Sequence, residues 1–97
     1  MSRISYINGV YCDYKNSTIH IEDRGYQFAD GVYEVTSVLE GKLIDFDEHT
    51  KRLARSLNEL DMRNPISKDD LLKAHRELVR LNAIEQGLIY LQITRGA

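Results

Sequence analysis

Val32-Tyr33-Glu34-Val35-Thr36-Ser37-Val38-Leu39, followed by Glu40-Gly41 and then by Leu43 to Phe46, is the stretch on which the fold turns. Both flanks are rich in β-branched, aromatic or aliphatic residues and Glu40-Gly41 separates them, so the segment reads as a β-hairpin. Alternation along the first strand puts Tyr33, Val35, Ser37 and Leu39 on one face and Val32, Glu34, Thr36 and Val38 on the other. One of these faces must line something other than core.

Upstream, Asn8-Gly9 lies between Tyr6-Ile7 and Val10-Tyr11 and suits a tight hairpin, because both turn residues tolerate positive φ. Tyr6 and Tyr11 should then meet across two strands. Residues 4 to 44 as a whole read as short strands separated by turns, with His20 in a strand between Ile19 and Ile21. Residues 47 to 83 read as two helices. Asp47 is the expected N-cap of the first, which carries His49, Leu53, Ser56, Leu57 and Leu60 on one stripe and Lys51, Arg55 and Asn58 opposite. Pro65 stops it. Ser67, with Asp70 three residues later, starts a second helix with Leu71, Ala74, His75, Leu78 and Val79 on one face, and Gly87 marks its exit. Residues 88 to 95 return to strand and are apolar on both faces at first, which suits a central strand. The fold class is therefore α+β, a small antiparallel sheet with two helices.

At 97 residues the chain is one small domain, 42% hydrophobic and 29% charged, an ordinary balance for a packed globular unit. The net charge of −2, with Lys and Arg spread along the chain, leaves no electrostatic footprint for a nucleic-acid backbone or an anionic membrane surface. Cys12 is the only cysteine, so no internal disulfide forms, and it reads as a small, half-buried strand residue. The run from Met1 to Tyr6 is too short and polar for a signal peptide or a membrane span, and the cytoplasm is the expected compartment. His20, His49 and His75 share no metal-ligand spacing. The closing Thr94-Arg95-Gly96-Ala97 leaves a strand without a helix or tail to cover it, which points to a fragment whose exposed sheet favours self-association.

The run Glu22-Asp23-Arg24-Gly25-Tyr26-Gln27-Phe28-Ala29-Asp30-Gly31-Val32-Tyr33-Glu34-Val35, followed by His49-Thr50-Lys51-Arg52-Leu53, resembles the N-terminal signature of class IV pyridoxal-phosphate aminotransferases. Val32-Tyr33-Glu34-Val35 is most similar to the D-amino acid aminotransferase branch, and the likeness continues to Thr94-Arg95-Gly96. The resemblance implies the N-terminal small domain of a homodimeric enzyme that uses pyridoxal 5'-phosphate to move an amino group between an amino acid, D-alanine or a similar D-amino acid, and a 2-oxo acid. Its Schiff-base lysine and an Arg-x-His pair that traps the substrate carboxylate would lie beyond residue 97, so these residues alone are expected to be inactive. Within the family, branched-chain aminotransferases and aminodeoxychorismate lyase are alternatives. Outside enzymology, a non-catalytic dimerisation module is the rival.

By the same resemblance, Arg52 holds the cofactor phosphate, Tyr33 reaches the active site and bonds the substrate carboxylate, and Val35 shapes the side-chain pocket. The residue chemistry is compatible: a planar guanidinium fork suits a phosphate better than a point charge does. His49 is expected to orient the surroundings of Arg52, and Arg95 is a further candidate for a ligand carboxylate. Glu34, on the opposite strand face from Tyr33, is assigned a structural role through Arg24 or Arg55. Lys15, Lys42, Lys51, Lys68 and Lys73 all fall in turns or on polar helix faces, and none is desolvated enough to serve as a Schiff-base amine. Asp23-Arg24-Gly25 and Asp30-Gly31 read as loop-shaping residues.

Overall fold

The computed structural model describes residues 3–97. Met1 and Ser2, the start of the run read above for a leader, lie outside the described residues. Five strands and three α-helices follow in the order β1 (Ile4–Ile7), β2 (Val10–Asp13), α1 (Arg24–Phe28), β3 (Gly31–Leu39), β4 (Lys42–Leu43), α2 (Phe46–Glu59), α3 (Lys68–Leu81) and β5 (Gln86–Thr94), with a single 3-10 turn at Tyr14–Asn16 after β2. The α+β class holds, with one more helix than the periodicity suggested.

The first hairpin forms as its turn chemistry requires. Asn8 and Gly9 both take positive φ, Tyr6 pairs with Tyr11, and their rings meet edge to face at 4.9 Å. It forms a two-stranded sheet of its own. Asn82, at the end of α3, holds it to the rest: its side chain accepts from the Ile4 amide at 2.8 Å and donates to the Ile4 carbonyl at 3.0 Å.

The second sheet has the order β4-β3-β5, antiparallel throughout. The central strand is therefore β3, and β5 is an edge strand among the described residues, contrary to its apolar composition. The reason lies in the faces: Ile89, Leu91 and Ile93 turn toward the helices, whereas Leu88 and Tyr90 stand exposed on the other side. Val38 of β3 and Ile89 of β5 are buried, as are Leu53 and Leu57 of α2 and Leu71 and Ala74 of α3, with Phe46, Met62 and Ile66 packed around the leucines. The leucine stripe of α2 thus seals one sheet face. Among the described residues nothing covers the other, which carries Tyr33, Val35, Ser37, Leu39, Leu88 and Tyr90.

Several boundaries move from their expected places. Asp45, not Asp47, occupies the N-cap position of α2, in a left-handed conformation with no side-chain cap. Asp47 falls in the first turn, where its carboxylate still faces the positive helix end and pairs with Lys68 at 2.8 Å. Helix α2 ends at Glu59, well before Pro65, with Asp61 at φ 56° turning the chain. Ser67 caps α3 as expected, accepting from the Asp70 amide at 3.1 Å. Ala83, rather than Gly87, supplies the positive φ after α3, and Gly87 lies inside β5 opposite Val38. His20 is outside any strand; its ring accepts from the Glu22 amide. Between β2 and β3 the chain passes through an irregular stretch and α1 because Asp23 caps the Gly25 amide at 2.8 Å, a side-chain to backbone bond that competes with strand pairing.

Candidate functional site

Strand β3 positions two of the expected residues and helix α2 the third. Tyr33 points away from the helices, 64% exposed, and its ring stacks on that of Tyr90 at 5.8 Å. Val35 lies on the same face, directly opposite Tyr90 in register. The alternation inferred from sequence is thus present, and it brings Tyr33 and Val35 together. Tyr90 joins them because β5 runs antiparallel to β3. Only the register of two strands far apart in sequence could have disclosed that.

Arg52 emerges from α2 toward the other side of β3, and its partner is Glu34. The Arg52 Nε donates to Glu34 Oε2 at 2.8 Å and Nη2 donates to Oε1 at 2.7 Å, a bidentate pair. His49, one turn earlier on α2, meets the same Oε1 through Nδ1 at 2.7 Å. Because a carboxylate only accepts, that nitrogen carries the proton. The expectation that Glu34 would bond Arg24 or Arg55 is corrected. Arg24 turns to Asp30 at 3.0 Å, while Glu34 is buried and bonded by His49 and Arg52 of α2. The expected link between His49 and the surroundings of Arg52 is present, and Glu34 is what makes it.

The electrostatics follow from these contacts. The Arg52 hydrogen bonds, and after them burial in the opposite sense and His49, hold the Glu34 carboxyl below its ordinary value of 4.5. Glu34 in turn pushes the Arg52 guanidinium above its ordinary value, mainly by hydrogen bonding. Both groups are therefore charged at neutral pH. Of the five N–H donors of a guanidinium, two are engaged by Glu34. The Nη1/Nη2 edge is left for another acceptor, on a side chain that is 56% exposed. A doubly anionic phosphate fits that edge in charge and in fork geometry.

Arg95 is engaged otherwise. It donates to Asp30 at 2.9 Å and to the Leu60 carbonyl at 2.6 Å, and Arg24 donates to the same carboxylate. Hydrogen bonds from Arg95, then Arg24, hold the Asp30 carboxyl below 3.8. This clasp joins the end of β5 to the start of β3, and Asp23 reinforces it by accepting from the Thr94 hydroxyl at 3.2 Å. The loop-shaping roles of Asp23, Arg24 and Asp30 are therefore visible as bonds. Gly25 and Gly31 are needed for close approach. A Cβ on Gly25 would lie 2.2 Å from Thr94 Cγ2, and one on Gly31 would lie 2.8 Å from the Ile93 carbonyl oxygen.

The unit is thus α+β, with one sheet face covered by helices, the other open and aromatic among the described residues, and an arginine whose second donor edge is free of Glu34. The amino-transferase class IV family model matches residues 31–97, and the chain belongs to that family. It is 43% identical over 90 residues to a D-alanine aminotransferase of Listeria monocytogenes serotype 1/2a, covering 93% of this chain and 31% of that protein. A D-alanine aminotransferase of Staphylococcus aureus strain MSSA476 is 41% identical over 91 residues, covering 94% and 32%. The chain thus spans just under a third of the length of these relatives. Among solved structures, it superposes on the Escherichia coli branched-chain amino acid aminotransferase at TM-score 0.91 and 20% identity, over 99% of this chain and 33% of that one. The branched-chain aminotransferase of the thermophilic archaeon Thermoproteus uzoniensis, solved with norvaline, gives 0.79 at 22% identity, over 95% and 32%. At such identities the structural likeness speaks for the fold alone.

Proposed function

We propose that residues 1–97 are the N-terminal small domain of a pyridoxal 5'-phosphate-dependent transaminase that exchanges an amino group between D-alanine, or a similar D-amino acid, and a 2-oxo acid. The observation that carries this is the Arg52 guanidinium, fixed on one edge by Glu34 and open on the other toward an anion. Family membership and the D-alanine aminotransferase relatives at 41–43% identity support the reaction and the handedness of the substrate. The lysine that bonds the cofactor is assigned to polypeptide beyond residue 97, none of the five lysines here being desolvated. We place the enzyme in the cytoplasm, in keeping with a lone unpaired Cys12, and as a homodimer, in keeping with the uncovered sheet face.

When bound, the cofactor supplies the electron sink that makes bonds at the amino-acid α-carbon labile. The residues of this chain bind and orient. Arg52 anchors the phosphate through its Nη1/Nη2 edge. Tyr33 offers its hydroxyl as a donor to the substrate carboxylate, and the stacked Tyr90 ring restricts the directions that hydroxyl can take. Val35, half-buried beside Tyr90, forms apolar wall for a small side chain. The intact protein supplied with D-alanine and 2-oxoglutarate should release pyruvate, assayed by coupled reduction. Release of 2-oxo acid from L-leucine but not from D-alanine would overturn the substrate assignment, and release from neither would overturn the activity.

A further inference from the structure

We propose that Glu34 is the positioning residue for the phosphate-binding guanidinium, acting through Arg52 and braced by His49. The inference rests on the phosphate role proposed above for Arg52, and it adds a function for a residue that alternation alone assigns to the core side of β3.

Glu34 is only 5% exposed, in a strand whose neighbours on that face, Thr36 and Val38, are buried with it. Placing a carboxylate there is costly unless it is fully paired, and an apolar residue would pack as well or better. The carboxylate is fully paired. Oε2 takes Arg52 Nε, and Oε1 takes both Arg52 Nη2 and His49 Nδ1. Two residues of α2 separated by almost one turn are thereby bonded to one residue of β3. Rotation of the guanidinium about its own axis breaks both of its bonds at once. What remains free, the Nη1/Nη2 edge, points away from the carboxylate by the planarity of the group. Glu34 therefore dictates which edge of Arg52 a ligand meets.

Two opposing effects decide the sign. A carboxylate on the adjacent edge of the guanidinium repels an incoming phosphate, but the anions are separated by a hydrogen bond on each side and the breadth of the group. At roughly 8 Å in water the repulsion of a dianionic phosphate would weaken binding about sixfold unscreened, and screening over one Debye length at physiological ionic strength leaves about twofold. A free arginine, by contrast, must be ordered when the ligand arrives, which costs roughly tenfold to thirtyfold in affinity. Pre-ordering wins, and removing the clamp should weaken phosphate binding.

The test is a double-mutant cycle in the intact protein, with pyridoxal 5'-phosphate as probe and its dissociation constant measured by equilibrium dialysis. Glu34→Gln keeps the shape but turns an amide donor toward the guanidinium. It should weaken binding about tenfold in the wild-type background and leave it within about twofold in the Arg52→Ala background. Equal losses in both backgrounds, or no loss in either, would overturn the positioning role while leaving Arg52 in place. An unchanged constant for Arg52→Ala alone would instead overturn the phosphate reading itself. Should Glu34→Gln not fold, the unsubstituted protein still decides. Its Arg52 Nε–H should give a resolved NMR signal with slowed hydrogen exchange and hindered rotation, and a signal exchanging as freely as that of a solvated arginine would refute the clamp.

Discussion

Substituting Gly25 by alanine tests whether the contact between α1 and the end of β5 is as close as the structure shows. An alanine in a helix is ordinarily an improvement over glycine, by up to about 1 kcal/mol. Here the added Cβ would fall 2.2 Å from Thr94 Cγ2 and 2.9 Å from Thr94 Cβ, distances that real side chains do not tolerate. Relief requires either displacement of α1 from β5 or rotation of Thr94. Displacement strains the Arg24 amide bond to the Gly96 carbonyl at 2.7 Å. Rotation breaks the Thr94 hydroxyl bonds to Asp23 at 3.2 Å and from the Gly96 amide at 3.1 Å. Overpacking costs about 1–3 kcal/mol, and two such hydrogen bonds cost a similar sum at about 0.5–1.5 kcal/mol each. The less costly route sets the penalty, so after the propensity gain the net destabilisation is about 1–2 kcal/mol. For a domain of this size that lowers the thermal midpoint by about 4–16 °C. Circular dichroism melts of Gly25→Ala, Thr94→Ser and the pair would measure it. Thr94→Ser removes Cγ2 and keeps the hydroxyl, so the double variant should recover more than half of the loss. Gly31→Ala meets the Ile93 backbone oxygen and should not be rescued by the same change. A Gly25→Ala chain that melts higher than wild type, or a cycle additive within about 0.5 kcal/mol, would refute the close packing.

Asn82→Ala should release the first hairpin at a cost of about 1–3 kcal/mol, because both Ile4 backbone groups and the Leu78 carbonyl lose a partner. Amide hydrogen exchange should quicken across β1 and β2 while β3 and β5 keep their protection; uniform quickening would show that the hairpin is not a separate unit. Acid should act in two stages. Burial holds the His75 imidazole below its ordinary 6.5, opposed in part by its bond to the Leu71 carbonyl, so the unfolded chain takes up that proton first and stability declines as pH drops below about 6.5. The depressed Glu34 carboxyl, and Asp47 held down by Lys68, contribute stability above the ordinary values of 4.5 and 3.8 that is lost as pH falls through their folded-state values. Denaturant midpoints against pH should show the first decline flattened in His75→Leu, and an unaltered profile would place the early titration on another group.

Much of the molecule is legible from local pattern because its causes are local. The Asn8-Gly9 turn, the two faces of β3, the leucine stripe of α2 and the Ser67 cap each depend on a few adjacent residues and a fixed period. Some expectations fail at element ends, where several neighbouring residues compete for one position, and others fail where a distant contact outweighs the local signal. Residues 4 to 44 read as short strands separated by turns, yet Asp23 binds the Gly25 amide and Thr94, and a short helix forms within them. Strand β5 has a central strand's composition but lies at an edge, its second face left to aromatic side chains.

The sequence by itself determined the class of fold, the family signature and the pairing of Tyr33 with Val35 on one face, since period and motif order need no third dimension. Only the tertiary structure decided that Glu34 grips Arg52 and His49, that Tyr90 stacks on Tyr33 and that Arg95 serves the Asp30 clasp. Each of these joins elements through strand register or the docking of α2 on β3. Those relations are set by how all the apolar faces pack at once, not by any one segment.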